Sequence, residues 1–175
     1  METLANPSRR RLFKGRTKTQ QYLRLPWIIN EAVFTAKCTQ CQDCLNACET
    51  NIIVRDEQGF PKVDFTQGEC TFCNKCQQVC EQPLFIDRLL EENKKIKPWP
   101  TDLSISNKCL AKAEIFCQSC RDVCESNAIK FSYIKAGKIS SIPQPEIVEN
   151  DCTQCGACIT SCPQDALHFE MSTNR

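Results

Sequence analysis

The sequence lacks most of what an enzyme displays. It has one histidine, His168, and no paired carboxylates, serine–histidine arrangement, phosphate-cradling loop or dinucleotide fingerprint. Substrate turnover at a site of its own is therefore not expected, and His168 is expected to be an ordinary strand residue. No apolar stretch follows the start of the chain as a secretory leader would require. That speaks against an oxidising compartment and the disulfide framework such a compartment permits. Apolar residues with cysteine included make up 41% of the 175 residues; without cysteine they fall to about a third, below the share of an ordinary globular domain. Two units of roughly 70 residues would be short of core, so something other than aliphatic side chains must fill them.

What the chain has in quantity is cysteine. Sixteen are present, about 9 per cent, the level at which composition alone points to a cysteine-built scaffold. The clearest stretch is Cys152-Thr-Gln-Cys155-Gly-Ala-Cys158-Ile-Thr-Ser-Cys162-Pro163. Three thiols spaced by three, a fourth four residues later and then proline form the bacterial-type run that holds a 4Fe–4S cluster. Three thiolates cover three corners of one cubane, and the fourth cysteine ligates a neighbouring cluster. Structural zinc is the competing reading, but its sites bring cysteines as two separated pairs. A four-cysteine run occurring four times does not have that form.

The other runs are Cys38, Cys41, Cys44 and Cys48; Cys70, Cys73, Cys76 and Cys80; and Cys109, Cys117, Cys120 and Cys124. In the third, seven residues separate the first two cysteines. Either Cys109 is a ligand reached across a longer loop, or the site has three cysteines. Sixteen thiols divide evenly into four sites, which favours the first account. The crossover rule gives four ligand sets. Cys38, Cys41, Cys44 and Cys80 form one, and Cys70, Cys73, Cys76 and Cys48 the next. Cys109, Cys117, Cys120 and Cys162 form the third, and Cys152, Cys155, Cys158 and Cys124 the fourth. After each fourth cysteine come three residues and then a small-or-apolar pair: Ile52-Ile53, Leu84-Phe85, Ala128-Ile129 and Ala166-Leu167. Four related half-units imply two pseudo-symmetric modules in tandem.

Between the runs, Ile52 to Arg55 and Phe60 to Phe65 read as strands joined at Gly59. Ala128 to Tyr133 and Pro145 to Glu149 read as strands around Gly137, and Leu167 to Glu170 as a last strand. Leu84 to Lys97 reads as a short helix closed by Pro98-Trp-Pro100, with Trp99 packing at the junction. Of the residues after each second cysteine, Gln42, Asn74, Gln118 and Gly156, the asparagine and the glycine readily take the positive φ that a loop around a cluster requires. The expected class is α+β: tandem bacterial-ferredoxin-like modules, each binding two 4Fe–4S clusters, over residues 31–100 and 101–175.

Charge divides the chain further. Residues 1–30 carry Arg9, Arg10, Arg11, Lys14, Arg16, Lys18 and Arg24 against Glu2 alone. The net charge of +1 thus hides an acidic body behind a basic N-terminal arm. The arm reads either as a solvated tail or as a dock for an acidic partner or anionic membrane; no nucleic-acid partner is expected. Ser8-Arg-Arg-Arg-Leu-Phe-Lys14 has the look of a twin-arginine export core, but the polar Gly15 to Gln21 that follows is not the apolar stretch such a signal needs. Leu23 to Ile29 is expected to pack as a loop onto the first module. Glutamate follows the fourth cysteine at Glu49, Glu81 and Glu125, where the fourth run has Pro163. These are either tolerated surface variation or carboxylates that lower a cluster's reduction potential by disfavouring added negative charge.

With these residues in view, the chain resembles the ferredoxin-type NapF family, accessory proteins of the bacterial periplasmic nitrate reductase system. The likeness runs through the Ser-Arg-Arg start, Pro26-Trp27, Cys38-Thr-Gln-Cys41, Asn46-Ala-Cys48-Glu49 and Gly59-Phe-Pro61. It continues through Glu69-Cys-Thr-Phe-Cys73, the long third run with Cys109-Leu-Ala, Cys155-Gly-Ala-Cys158 and Ser161-Cys-Pro163. The spacing at Cys109 also resembles that family's pattern. The resemblance implies a cytoplasmic protein with four 4Fe–4S clusters that binds the nitrate reductase catalytic subunit before export and assists its maturation, by electron supply or by supporting its iron–sulfur centre. A general electron carrier serving a membrane quinol dehydrogenase or another oxidoreductase is the alternative.

Overall fold

The computed structural model describes residues 22–86, 96–135 and 138–172. Its helices are short: α1 (Glu31–Lys37), α2 (Asp43–Asn46), α3 (Lys75–Gln78), α4 (Ser119–Asp122) and α5 (Ala157–Thr160). Its strands are β1 (Ile53–Arg55), β2 (Pro61–Val63), β3 (Thr101–Ile105), β4 (Ile129–Lys135), β5 (Lys138–Ile147) and β6 (Leu167–Met171). Among the described residues these strands form three two-stranded antiparallel pairs, β1 with β2, β3 with β6 and β4 with β5.

The repeat explains this arrangement. In each half a hairpin lies between two cysteine runs, β1–β2 in the first and β4–β5 in the second. A segment before the first run then pairs with one after the second. In the second half that pair is β3 with β6, Thr101 opposite Met171 and Ile105 opposite Leu167. In the first half it shrinks to a single bridge between Ile28 and Phe85. The residue three places after the fourth cysteine turns the chain in the left-handed region at Asn51, Asn127 and Asp165. Run two has Pro83 there, whose ring fixes φ near −65°, and no extended strand follows.

The β1–β2 turn closes at Gly59, φ +88, as expected from the sequence. Asp56 organises it, its Oδ1 accepting from the backbone N–H groups of Gln58 and Phe60 at 2.8 and 2.9 Å. Helix α1 begins at Asn30, whose side chain accepts from the N–H of Val33, a standard N-terminal cap. Leu84–Ile86 do not start a helix: Phe85 is bridged to Ile28, and the N–H of Ile86 donates to the carbonyl of Trp27 at 2.8 Å. The rest of that expected helix, residues 87–95, lies outside the described residues, as do most of the arm's basic side chains.

Arg24 corrects the reading of the arm. Its side chain is 4% exposed and meets Asp56, 0% exposed, at 2.7 Å and Glu31 at 2.8 Å. Burial pulls the Asp56 carboxyl up, but the Arg24 guanidinium and the two backbone donors outweigh it and leave the group below the ordinary aspartate range. Arg24 is thus a core residue and not a docking charge. Removing one partner of a buried pair leaves the other uncompensated, so Arg24→Ala is expected to cost about 3–5 kcal/mol. Thermal denaturation of the iron-loaded protein checks this; an unchanged midpoint would show the pair to be idle.

The larger core gathers Leu25, Phe34, Ile52, Ile53, Val63, Phe65, Leu84 and Trp99. Trp99 is 2% exposed and donates through Nε1 to the carbonyl of Arg24 at 2.7 Å. Its ring meets Phe65 edge-on at 5.5 Å and Phe169 at 6.4 Å. The two cysteine-bearing halves therefore meet in a packed junction around Trp99. Further links across it run from the N–H of Cys70 to the carbonyl of Cys155 (2.8 Å) and from Thr160 Oγ1 to the carbonyl of Phe65 (2.7 Å).

Candidate metal centres

The short helices serve the cysteines. Each of α2 to α5 carries the third cysteine of its run as its second residue, Cys44, Cys76, Cys120 and Cys158. Gln42, Asn74 and Gly156 precede three of these turns in the left-handed conformation, with φ 73, 61 and 88. Each regular run also has a left-handed residue between its first two cysteines, Gln40, Phe72 and Gln154. Two such reversals curl the backbone so that three thiols face one volume. Gln118 does not share the conformation, with φ −136. The seven residues that stand in place of two route the chain differently, through a 3₁₀ turn at Ala111–Ala113 and a left-handed Glu114.

That insertion is strapped down. Gln144 Nε2 donates to the carbonyl of Ala111 at 2.6 Å, the Lys112 ammonium reaches the carbonyl of Ile105, and Ser140 and Ser141 donate to the Glu114 carboxylate. Cys109 is held where Cys117 and Cys120 can share a site with it.

Four cavities result, each lined by four cysteines. The first holds Cys38, Cys41, Cys44 and Cys80, and the second Cys48, Cys70, Cys73 and Cys76. The third holds Cys109, Cys117, Cys120 and Cys162, and the fourth Cys124, Cys152, Cys155 and Cys158. In every case three cysteines come from one run and the last crosses from its partner run. All sixteen thiols are free of disulfides. Among the described residues no three His, Cys, Asp or Glu side chains converge as a single metal ion demands. Zinc–sulfur bonds of about 2.3 Å would bring four sulfurs within about 3.8 Å of one another. An all-thiol set with three members from one run and one from its partner fits a 4Fe–4S cubane.

The metal-free thiols resist ionisation. Burial, reinforced by neighbouring cysteines, pushes Cys44 and Cys76 up to about 12 and Cys120 to about 11. Cys158 is raised further by the same causes. Iron binds thiolates, so loading must release these protons. Reconstitution is expected to improve from pH 7 to pH 9, by up to about tenfold per pH unit for each thiol whose proton is lost, with proton uptake by buffer as the readout. The metal-free fold has the opposite dependence. Below about pH 9 these thiols are neutral folded or unfolded; as pH rises towards their folded values the unfolded chain ionises first and stability falls.

Two of the three glutamates, Glu49 and Glu81, line cavities, the second and the first, but differ in partners. Glu49 pairs with Lys75 of α3 at 2.5 Å, which cancels much of its charge. Glu81 lines the first cavity. Glu81→Gln is expected to raise the potential of that centre and Glu49→Gln to change its neighbour less. Potentiometric titration followed by electron paramagnetic resonance decides between this and inert surface variation. His168 lies exposed on β6 with Nε2 2.9 Å from Glu170 Oε1, away from the cavities.

Sequence reasoning missed β3 and the hydroxyls beside the sulfurs. The alternation Leu103, Ser104, Ile105 after Pro100 could have signalled the strand. Among the described residues no helix is long and apolar enough to cross a membrane.

Comparison with known proteins agrees with this geometry. The 4Fe-4S dicluster domain family matches residues 37–82 and 115–166, which hold every cysteine except Cys109. The ferredoxin-type protein NapF of Escherichia coli K12 is 38% identical over 93% of this chain and 94% of its own length. NapF of Haemophilus influenzae is 39% identical over 94% of both. One component of an ion-translocating oxidoreductase complex from Methanosarcina acetivorans is 28% identical over 77% of this chain and 47% of its own length. The NapF likeness along almost the whole chain, together with a ferredoxin-like iron–sulfur fold of mixed helix and strand, shows that the chain belongs to the ferredoxin-type NapF family.

Proposed function

We propose that the chain holds four 4Fe–4S clusters in two tandem modules, at the four cysteine sets given above, and works without turnover of its own. The observation that carries this is the crossing pattern, three thiols from one run and one from its partner around each cavity. Fully thiolate-ligated clusters store and pass single electrons and leave no open position for substrate. The protein supplies the sites, their burial and the hydrogen bonds around them.

The family likeness extends this to a role. The chain acts in the cytoplasm on the catalytic subunit of the periplasmic nitrate reductase before export, supplying electrons or supporting its iron–sulfur centre. Iron and labile sulfide measured on protein purified without oxygen test the count, and far fewer than four clusters in fully loaded protein overturns it. Anaerobic pull-down tests the partner. Preferential capture of cofactor-free, unexported subunit is expected; equal binding of mature enzyme rejects the maturation role.

A second reading, a general electron carrier for a membrane quinol dehydrogenase or other oxidoreductase, has its own support. Cys41 and Cys73 are exposed while Cys120 and Cys158 are buried, which opens the first two sites to a redox partner. Fast electron transfer to an isolated oxidoreductase with no maturation phenotype would favour it.

A further inference from the structure

Three of the sixteen sulfurs contact a hydroxyl two residues along the chain. Cys48 Sγ lies 3.7 Å from Thr50 Oγ1, and Cys124 Sγ lies 3.6 Å from Ser126 Oγ. Cys117 Sγ lies 3.7 Å from Ser119 Oγ. The first two contacts occupy matching places in the repeat. Cys48 and Cys124 are the fourth cysteines of runs one and three, the ones that cross to the second and fourth cavities. Thr50 and Ser126 themselves line those cavities.

These are also the two central cavities. The N–H of Cys70, in the second, donates to the carbonyl of Cys155, in the fourth, at 2.8 Å across the module junction. The crossing cysteines of the outer cavities have different surroundings. Cys80 Sγ faces the carbonyl of Gln82 at 3.7 Å, and Cys162 Sγ accepts from the backbone N–H of Ala166 at 3.3 Å. The residues two places on are Gln82 and Gln164, so neither outer crossing sulfur has a hydroxyl there.

We infer that Thr50 and Ser126 are positioning residues whose hydroxyls donate to the crossing thiolates of the two central centres and hold those centres' reduction potentials up. A sulfur bound to iron carries no proton, so in the loaded protein the hydroxyl is the donor. Hydrogen bonds to charged acceptors are the stronger kind. One aimed at a cluster sulfur stabilises the reduced, more negative state, which raises the potential. The inference rests on the proposed ligand sets, since each hydroxyl acts on the centre to which its cysteine belongs. It adds a matched hydroxyl on the crossing sulfur of each of the two centres that face each other at the junction.

The test uses the full chain, purified without oxygen and titrated with dithionite while each centre is followed by electron paramagnetic resonance. Cys73→Ser and Cys155→Ser mark which signals belong to the second and fourth sites. Thr50→Val is expected to lower the potential of the centre marked by Cys73→Ser alone, and Ser126→Ala that of the centre marked by Cys155→Ser. Thr50→Ser is expected to restore the first value. Unchanged potentials at full iron content would overturn the role of the hydroxyls. A shift in the centre altered by Cys41→Ser would instead overturn the ligand sets on which the inference rests. Thr50→Ala is run beside Thr50→Val. If both lose iron that Thr50→Ser retains, the hydroxyl holds the cluster in place and does not set its potential, which also rejects the inference.

Discussion

Removing iron with a chelator under anaerobic, reducing conditions is expected to abolish the cooperative thermal transition, together with near-ultraviolet circular dichroism and visible absorbance. The reason lies in how little else holds the elements. Four of the five described helices are four residues long, and none of those four has a side-chain cap. One turn is far below the length at which a helix supports itself. The sheets are two-stranded pairs, marginal in water without packing. The smaller core consists of Cys120, Ile129, Cys158 and Leu167, so half of its buried members are thiols facing a metal site. Domains are stable by about 5–15 kcal/mol, while structural metal binding contributes about 10–16 kcal/mol in zinc-finger peptides. Losing coordination of that order exceeds what the remaining contacts supply. A metal-free chain that still melts cooperatively near the loaded midpoint would refute this.

Gly156→Ala is expected to destabilise the fold on the scale set by loss of the Arg24 pair, by about 2–5 kcal/mol. A Cβ there would stand 2.1 Å from Phe65 Cδ1 and 2.5 Å from Cε1. The φ of +88 adds the cost of a left-handed backbone, roughly 1–2 kcal/mol, to an overpacking cost of about 1–3 kcal/mol. Phe65 cannot step aside easily, because Trp99 and Phe169 hold its ring from two directions at 5.5 and 5.4 Å. At about 2–4 °C per kcal/mol for a chain of this size, the melting point should fall by roughly 5–15 °C. Iron should be lost first at the site containing Cys155. Trimming the obstructing ring in the double variant Gly156→Ala, Phe65→Leu should recover part of the loss, a coupling that a double-mutant cycle measures. Additive effects would show that the two residues do not meet.

These two expectations mark where the sequence was and was not legible. The grouping of cysteines around four cavities follows from spacing, because three thiols three residues apart leave the backbone few ways to present them. Asn74 and Gly156 could be placed in the left-handed region because their side chains tolerate it. Gln42 and Phe72 adopt it under the constraint of the curl and could not have been named from residue type. Arg24 resembled its basic neighbours in sequence, and no local pattern announced that Glu31 and Asp56 close over it. Strand β3 was overlooked although Leu103, Ser104 and Ile105 alternate, because its partner lies more than sixty residues away and no turn beside it marks a hairpin. The contact of Phe65 with Gly156 belongs to neither local sequence.

The pairing of β3 with β6 also bears on the order in which the chain can be completed. Thr101 waits for Met171, and Phe65 and Trp99 wait for Phe169, so the N-terminal half lacks one wall until β6 has been made. Contacts this distant in sequence slow folding, since the intervening loop must close before they form. A ribosome-bound chain would therefore leave the Cys70 side of the second cavity uncovered until Cys155 has been made, and the junction between the halves closes only when Phe169 reaches Phe65 and Trp99.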